Sequence, residues 1–289
     1  MEIKDLIRMG VKKLDGKKYS NPPLECVLLL AYLLDVDKTY IYIHNDEEVS
    51  SSVENKYFSL IDERRKGYPI QYILKEKEFM GISFYIEEGV LIPRPDTEIL
   101  VQYVLDYIDE KYKERDIKIV ELGTGSGCIS LSIAYYKKNV FVYSVDIDKK
   151  ANAVAEENSK RLKLSDRVKI LEGDLFQGIK NMGLKNSVDI IVSNPPYIPE
   201  DEIFGLQDEI KKYEPLWALD GGEDGLDYYR RIIPQSKEYL KNRGILVFEM
   251  GFDQGRKIKE LMEKENFRNI NILKDLQGLD RVITGELFL

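Results

Sequence analysis

From residue 117 to the end of the chain, short apolar runs alternate with stretches of helical period, and few folds accept that alternation. Runs at 117–122, 140–145, 168–171, 188–192 and 244–250 have the length and the Val/Ile content of strands buried on both faces. Helical stretches at 128–135, 149–163, 226–240 and 256–265 fill most of the gaps. The pattern predicts an α/β fold, a doubly wound, mostly parallel sheet with helices crossing over between strands. Two further strands, 268–274 and 280–288, bring the sheet to seven. The link around Gln277-Gly278 is too short for a crossover, so these two form a hairpin and one C-terminal strand runs antiparallel to the rest.

Open sheets of this kind bind ligands at the carboxyl ends of their strands. Here the first strand carries Glu121 and runs into Gly123-Thr124-Gly125-Ser126-Gly127, a turn that lets a ligand approach the backbone closely. Its Gly-x-Gly-x-Gly spacing is neither that of a pyrophosphate loop nor that of a lysine-bearing P-loop. The second strand ends in Asp146, placed to bind both hydroxyls of a ribose. The third ends at Gly173-Asp174. Asp174 can accept from an adenine amine, and Leu175 and Phe176 can pack on the ring. A nucleoside held by glycines and an acidic strand end, with no phosphate loop, points to S-adenosylmethionine.

The fourth strand leads into Asn194-Pro195-Pro196-Tyr197. Two prolines cannot continue a ladder, because neither has an N–H to donate, so the chain leaves the sheet there. Asn194 offers an amide, Pro195 a carbonyl that no ladder uses, and Tyr197 an aromatic face. Together they make a cup of acceptors for a planar NH₂ group. As plain structure, the same tetrapeptide is a strand-terminating turn. Upstream, Pro93-Arg94-Pro95-Asp96-Thr97-Glu98 reads as an extended approach to a helix capped by Asp96 or Thr97. It places Arg94, Thr97 and Glu98 on a rigid loop able to line a site. The stretch 198–225 has no regular pattern and reads as a lid or substrate wall.

Residues 2–66 show only helical periods. Asn21 can cap a second helix that starts at Pro22, and Ser51 or Ser52 begins a fourth. The expected organisation is an N-terminal helical substrate-recognition domain, 1–67, a β-hairpin linker, 68–92, and a catalytic domain, 93–289. The hairpin arms, 71–79 and 82–87, flank Met80-Gly81. A net charge of −8 disfavours general affinity for nucleic acid. No apolar run approaches a membrane span, and charges at Glu2, Lys4 and Asp5 interrupt any N-terminal signal. Two distant cysteines fit a reducing cytoplasm, and a single histidine, His44, leaves no metal-ligand pattern.

The succession of glycine turn, Asp146, Asp174 and Asn-Pro-Pro-Tyr at successive strand ends resembles the class I S-adenosylmethionine-dependent methyltransferases. Within that class the chain is similar, over nearly its full length, to the peptide chain release factor N(5)-glutamine methyltransferases. The resemblance rests on the Pro-Arg-Pro-Asp-Thr-Glu stretch at 93–98 and Asn-Pro-Pro-Tyr-Ile at 194–198. It rests also on Tyr-Glu-Pro…Ala-Leu-Asp-Gly-Gly at 213–222 and the Asp-Leu…Gly…Asp-Arg segment at 275–281. Glu121, where many methyltransferases carry Asp, is a mild departure that keeps the carboxylate. The resemblance implies methyl transfer from S-adenosylmethionine, leaving S-adenosylhomocysteine, to the glutamine of a Gly-Gly-Gln motif in release factors. It implies cofactor contacts from Glu121, Gly123, Thr124, Gly125, Gly127, Asp146, Asp174, Leu175 and Asn194. Asn194, Pro195 and Tyr197 would carry the chemistry, with Pro196, Arg94, Thr97 and Glu98 beside the substrate. A ribosomal-protein glutamine, or an exocyclic amine of a nucleic acid, remains open as an alternative target. The latter would want a basic cleft or stacking platform, against which the acidic balance counts.

Overall fold

The computed structural model describes residues 1–16, 21–112 and 115–289. They form two compact units, Met1–Glu76 and Lys77–Leu289. The first holds helices α1 (Ile3–Leu14), α2 (Pro22–Leu34), α3 (Lys38–Ile43), α4 (Ser51–Arg65) and α5 (Ile70–Leu74). Helix α2 is apolar nearly all round and lies in the middle, packed on the other four. Its start follows the expected chemistry: the Asn21 side chain accepts from the Leu24 N–H at 3.3 Å. Helix α4 begins at Ser51, as expected, and Ser50 caps it by accepting from Val53 N at 3.4 Å. Glu25 of α2 and Arg64 of α4 form a buried two-pronged ion pair, 2.8 and 3.1 Å.

Part of the expected hairpin is helical instead. Ile70 and Ile73 belong to α5, and both lie in the core of the first unit. Three residues apart, they share a helix face, whereas a strand would have turned them to opposite sides. The hairpin itself is shorter, β1 (Glu76–Phe79) and β2 (Ile82–Tyr85). Within the second unit Asn158 holds β2: its side chain accepts from Tyr85 N at 2.7 Å and donates to Tyr85 O at 2.9 Å.

The second unit continues with α6 (Thr97–Lys111), β3 (Ile117–Leu122), α7 (Cys128–Tyr136), β4 (Val140–Asp146), α8 (Lys149–Arg161), β5 (Val168–Glu172), β6 (Val188–Ser193) and α9 (Asp208–Tyr213). Then follow α10 (Asp227–Ser236), β7 (Leu240–Glu249), α11 (Gly255–Lys264), β8 (Phe267–Lys274) and β9 (Asp280–Leu287). The seven-stranded sheet has the order β5-β4-β3-β6-β7-β9-β8, and only β9 runs against its neighbours. Apolar side chains of α10 and α11, among them Tyr229, Ile232, Ile258 and Met262, share one core with Val120, Ile191, Leu246 and Phe248 of the strands. The chain goes from β3 outward to β4 and β5, then returns to place β6 on the other side of β3. That reversal opens a crevice at the carboxyl ends of β3 and β6, the place where such sheets bind ligands. The stretch 198–225 is more regular than expected, holding α9 and two short 3₁₀ turns.

Candidate active site

Two adjoining cavities open at this crevice. The larger, about 210 Å³, is walled by Gly123 and Gly125 of the glycine turn, Asp146, Asp174, Leu175 and Asn194, together with Trp217 and Tyr228. The smaller, about 130 Å³, is walled by Arg94, the whole of Asn194-Pro195-Pro196-Tyr197, and Glu249. Leu91, Asn194, Pro196 and Ala218 line both.

The larger cavity has the features a nucleoside needs. Gly125 has φ of +55°, and a Cβ added there would meet nothing within 4 Å, so the side that glycine leaves bare is open. Asp146 is 7% exposed at the tip of β4. Its Oδ2 accepts from Gly125 N at 2.8 Å and its Oδ1 from Asp148 N at 2.9 Å. Each oxygen keeps a second lone pair for a ligand hydroxyl. Burial pushes this carboxyl above its ordinary value, and the two backbone donors only partly offset that. Asp174 lines the cavity too, and its Oδ2 accepts from Arg231 at 2.5 Å. These residues fit S-adenosylmethionine: Asp146 would hold its ribose hydroxyls, and Leu175, Trp217 and Tyr228 would offer apolar surface to a ring.

Glu121, Thr124 and Gly127 do not line this cavity. Glu121 is fully buried beneath the turn and accepts from Ser144, whose hydroxyl also bonds Thr124 Oγ1 at 2.8 Å. Gly127 begins α7 with φ of +80°. These three shape the turn from below. Desolvation pushes Glu121 up to about 7.

The smaller cavity is tied together by residues distant in sequence. Arg94 pairs with Glu214 at 2.8 Å, and Glu214 also accepts from Ile92 N at 3.4 Å. The 93–98 and 213–222 stretches therefore meet through Glu214. Neither Asp96 nor Thr97 caps α6 through its side chain. Asp96 already has helical φ and ψ, and the Thr97 hydroxyl donates to Glu249 Oε2 at 2.6 Å. Glu98 faces the hairpin, where it accepts from Met80 N at 2.7 Å. The Asn194 NH₂ donates to Thr97 Oγ1 at 3.3 Å, and the Tyr197 hydroxyl donates to Glu249 Oε1 at 3.3 Å. Among the described residues no hydrogen bond occupies the Pro195 carbonyl.

The loop after Tyr197 is stitched down as well. Ile198 and Asp220 pair as a bridge, and Gln254 donates to Tyr197 O at 2.8 Å and Gly225 O at 3.3 Å. Gly225 can carry no side chain, since its Cβ would lie 2.3 Å from Tyr197 O. Sequence reasoning missed Glu249, Gln254, Trp217, Tyr228 and Arg231. Each is an unremarked residue of a strand, helix or loop, and only the folded register brings it to the crevice.

A seven-stranded doubly wound sheet, a glycine turn at a nucleoside-sized cavity, and an amide-bearing strand end beside it define an S-adenosylmethionine-dependent methyltransferase. The fold recurs in the N-terminal domain of human METTL16 in complex with SAH, with a TM-score of 0.55 at 16% identity over 90% of this chain and 94% of that one. A human methyltransferase 10 domain containing protein aligns with a TM-score of 0.52 at 19% identity, over 72% and 89% of the two chains. Residues 5–74 match the family model described as PrmC N-terminal domain, and 97–207 match the methyltransferase small domain. A release factor glutamine methyltransferase of Clostridium acetobutylicum is 44% identical over 98% of each chain. One of Aquifex aeolicus is 37% identical over 97% of each. The chain belongs to the release factor glutamine methyltransferase family. No described helix is long and apolar enough to cross a membrane.

Proposed function

We propose that this chain transfers the methyl group of S-adenosylmethionine to the side-chain amide nitrogen of the glutamine in the Gly-Gly-Gln motif of peptide chain release factors, in the cytoplasm. The observation that carries the reading is the position of Asn194, which lines both cavities at once. A planar amide entering the smaller cavity meets this side chain at the mouth of the larger one. When bound, S-adenosylmethionine supplies an electrophilic methyl on a sulfonium sulfur.

The chain's own residues must make a poor nucleophile reactive. An amide nitrogen has its lone pair delocalised into the carbonyl. As it attacks, that nitrogen gains positive charge. Acceptors held at its two N–H bonds stabilise the charge, the counterpart of an oxyanion hole. Asn194 Oδ1 and the Pro195 carbonyl take that role. Pro196 and the Tyr197 ring wall the slot and exclude water, and the Arg94–Glu214 pair fixes its rim. Glu98, bonded to the hairpin, holds the start of α6 rather than touching substrate. Orientation supplies the remainder of the rate. Residues 1–67 recognise the body of the release factor. Labelled S-adenosylmethionine, incubated separately with release factor, ribosomal protein and DNA, tests the reading. Label in release factor alone is the expected result, and label only in one of the others overturns it.

A further inference from the structure

We propose that Glu249 is a positioning residue for the methyl transfer: through the Thr97 hydroxyl it holds the Asn194 amide with its NH₂ turned toward α6 and its oxygen turned into the smaller cavity. The proposal rests on the reading of Asn194 as the acceptor.

Glu249 ends β7 after a run of four side chains, Ile245 to Phe248, that are at most 1% exposed, and is itself 1% exposed. A carboxylate in such a place is costly unless its oxygens are bonded. Here both are: Oε2 accepts from Thr97 at 2.6 Å and Oε1 from Tyr197 at 3.3 Å. The consequence lies one bond further on. A threonine hydroxyl has a single proton. An ionised carboxylate can only accept, so that proton is committed to Glu249. Thr97 Oγ1 can then only accept from its other neighbour, which is Asn194 at 3.3 Å. The amide must present its NH₂ there, and its oxygen faces the other way.

An asparagine amide is nearly the same shape either way round, so something must choose. Inverted, the NH₂ of Asn194 would meet the NH₂ of the substrate, donor against donor. Thr97 and Glu249 come from elements 152 residues apart, and neither touches the cofactor cavity. Their shared product is the orientation of one amide.

The relay depends on ionised Glu249. Once protonated, the carboxyl can donate to Thr97, freeing that hydroxyl to donate to Asn194 and turn the amide over. The groups facing Glu249 are Asp96 and Thr97 at the start of α6, Cys128 at the start of α7, Tyr197 after β6, Tyr229 of α10 and Arg281 of β9. Tyr229 donates to the Glu249 main-chain oxygen at 2.8 Å. Burial pushes the carboxyl up; Thr97, Arg281 and Tyr197 pull it down, Asp96 opposes them, and the balance lies at about 6. Arg281 is held in place by Asp275 at 3.1 Å and Asp96 at 3.5 Å.

Single-turnover methylation of a release factor, with cofactor affinity measured by calorimetry, tests this. Thr97→Val keeps the shape and removes the hydroxyl. It should slow the chemical step about tenfold to a hundredfold with cofactor affinity unchanged. Thr97→Ser should recover most of that loss. The wild-type rate should fall on acidification through about pH 6, and Glu249→Gln should be slower and lose that limb. Asn194→Ala serves as reference. If it turns over normally, the acceptor reading itself fails. If it is slow while Thr97→Val is as fast as Thr97→Ser, only the positioning role falls. The same holds if Thr97→Val loses cofactor binding in step with rate, or if the acidic limb persists in Glu249→Gln. Should Glu249→Gln not fold, the Thr97 pair decides alone.

Discussion

Replacing Asp146 with alanine removes a carboxylate that faces two ways. Its oxygens hold the glycine turn through Gly125 N and the start of α8 through Asp148 N, at 2.8 and 2.9 Å. Asp146 also lines the larger cavity. Hydrogen bonds to a charged group contribute about 1.5–3 kcal/mol. Two ribose hydroxyls bound to one carboxylate would double that, but burial already raises the cost of keeping Asp146 ionised, so the single-bond range is the appropriate figure. A loss of about 1.5–3 kcal/mol is roughly a tenfold to 150-fold rise in Kd. Asp146→Asn is the companion variant. It keeps one acceptor oxygen but sets an NH₂ against either Gly125 N or Asp148 N, donor to donor, and should lose nearly as much. Calorimetric titration with S-adenosylhomocysteine measures both, and thermal melts confirm folding. Affinity within twofold of the natural protein in a folded Asp146→Ala variant would refute the assignment.

Other predictions follow from the same geometry. Asn194→Ala should lower turnover on the order of 10²–10³, by analogy with loss of one oxyanion-hole donor, and leave cofactor affinity nearly unchanged. Asn194→Asp keeps an oxygen and should retain part of the rate. Removing residues 1–76 should raise the Michaelis constant for intact release factor and spare cofactor binding, as calorimetry and steady-state kinetics would show. Glu121 binds its proton more tightly folded than unfolded, about 7 against 4.5. Its charged form therefore costs stability, and that cost grows as pH rises from 4.5 to about 7, reaching about 3 kcal/mol. Denaturant unfolding at pH 5 and pH 8 should show this drop shrinking by a comparable amount in Glu121→Gln.

The sheet was legible because strands buried on both faces are mostly apolar, and β3, β4, β6 and the Ile245–Phe248 half of β7 are, with only a few polar interruptions such as Lys118 and Asp189. The strand ends were legible because glycine, aspartate and proline have few reasons to follow such runs. Helix α5 was not, since Ile70, Tyr72 and Ile73 have strand propensity and only the common burial of Ile70 and Ile73 in the core of the first unit decides otherwise. Helix α9 was hidden for the opposite reason: it buries no residue fully and so shows no apolar period. Glu249 sits inside the apolar run 244–250, and its partner Thr97 reads as a helix cap. Their hydrogen bond is a product of sheet order and register, which no local pattern encodes. Glu121 misled for a related reason, because a carboxylate at a strand end can face the ligand or the core, and Ser144 below it settles the matter.

Whether a glutamine amide of a release factor receives the methyl group can be read from the product itself. The most direct measurement is mass mapping of a release factor after incubation with this protein and S-adenosylmethionine. The expected result is a single added methyl, about 14 Da, on the glutamine of the Gly-Gly-Gln motif, formed on the order of 10²–10³ more slowly when Asn194→Ala replaces the natural protein. A methyl found on another residue, or on that glutamine at an undiminished rate with Asn194→Ala, would contradict it.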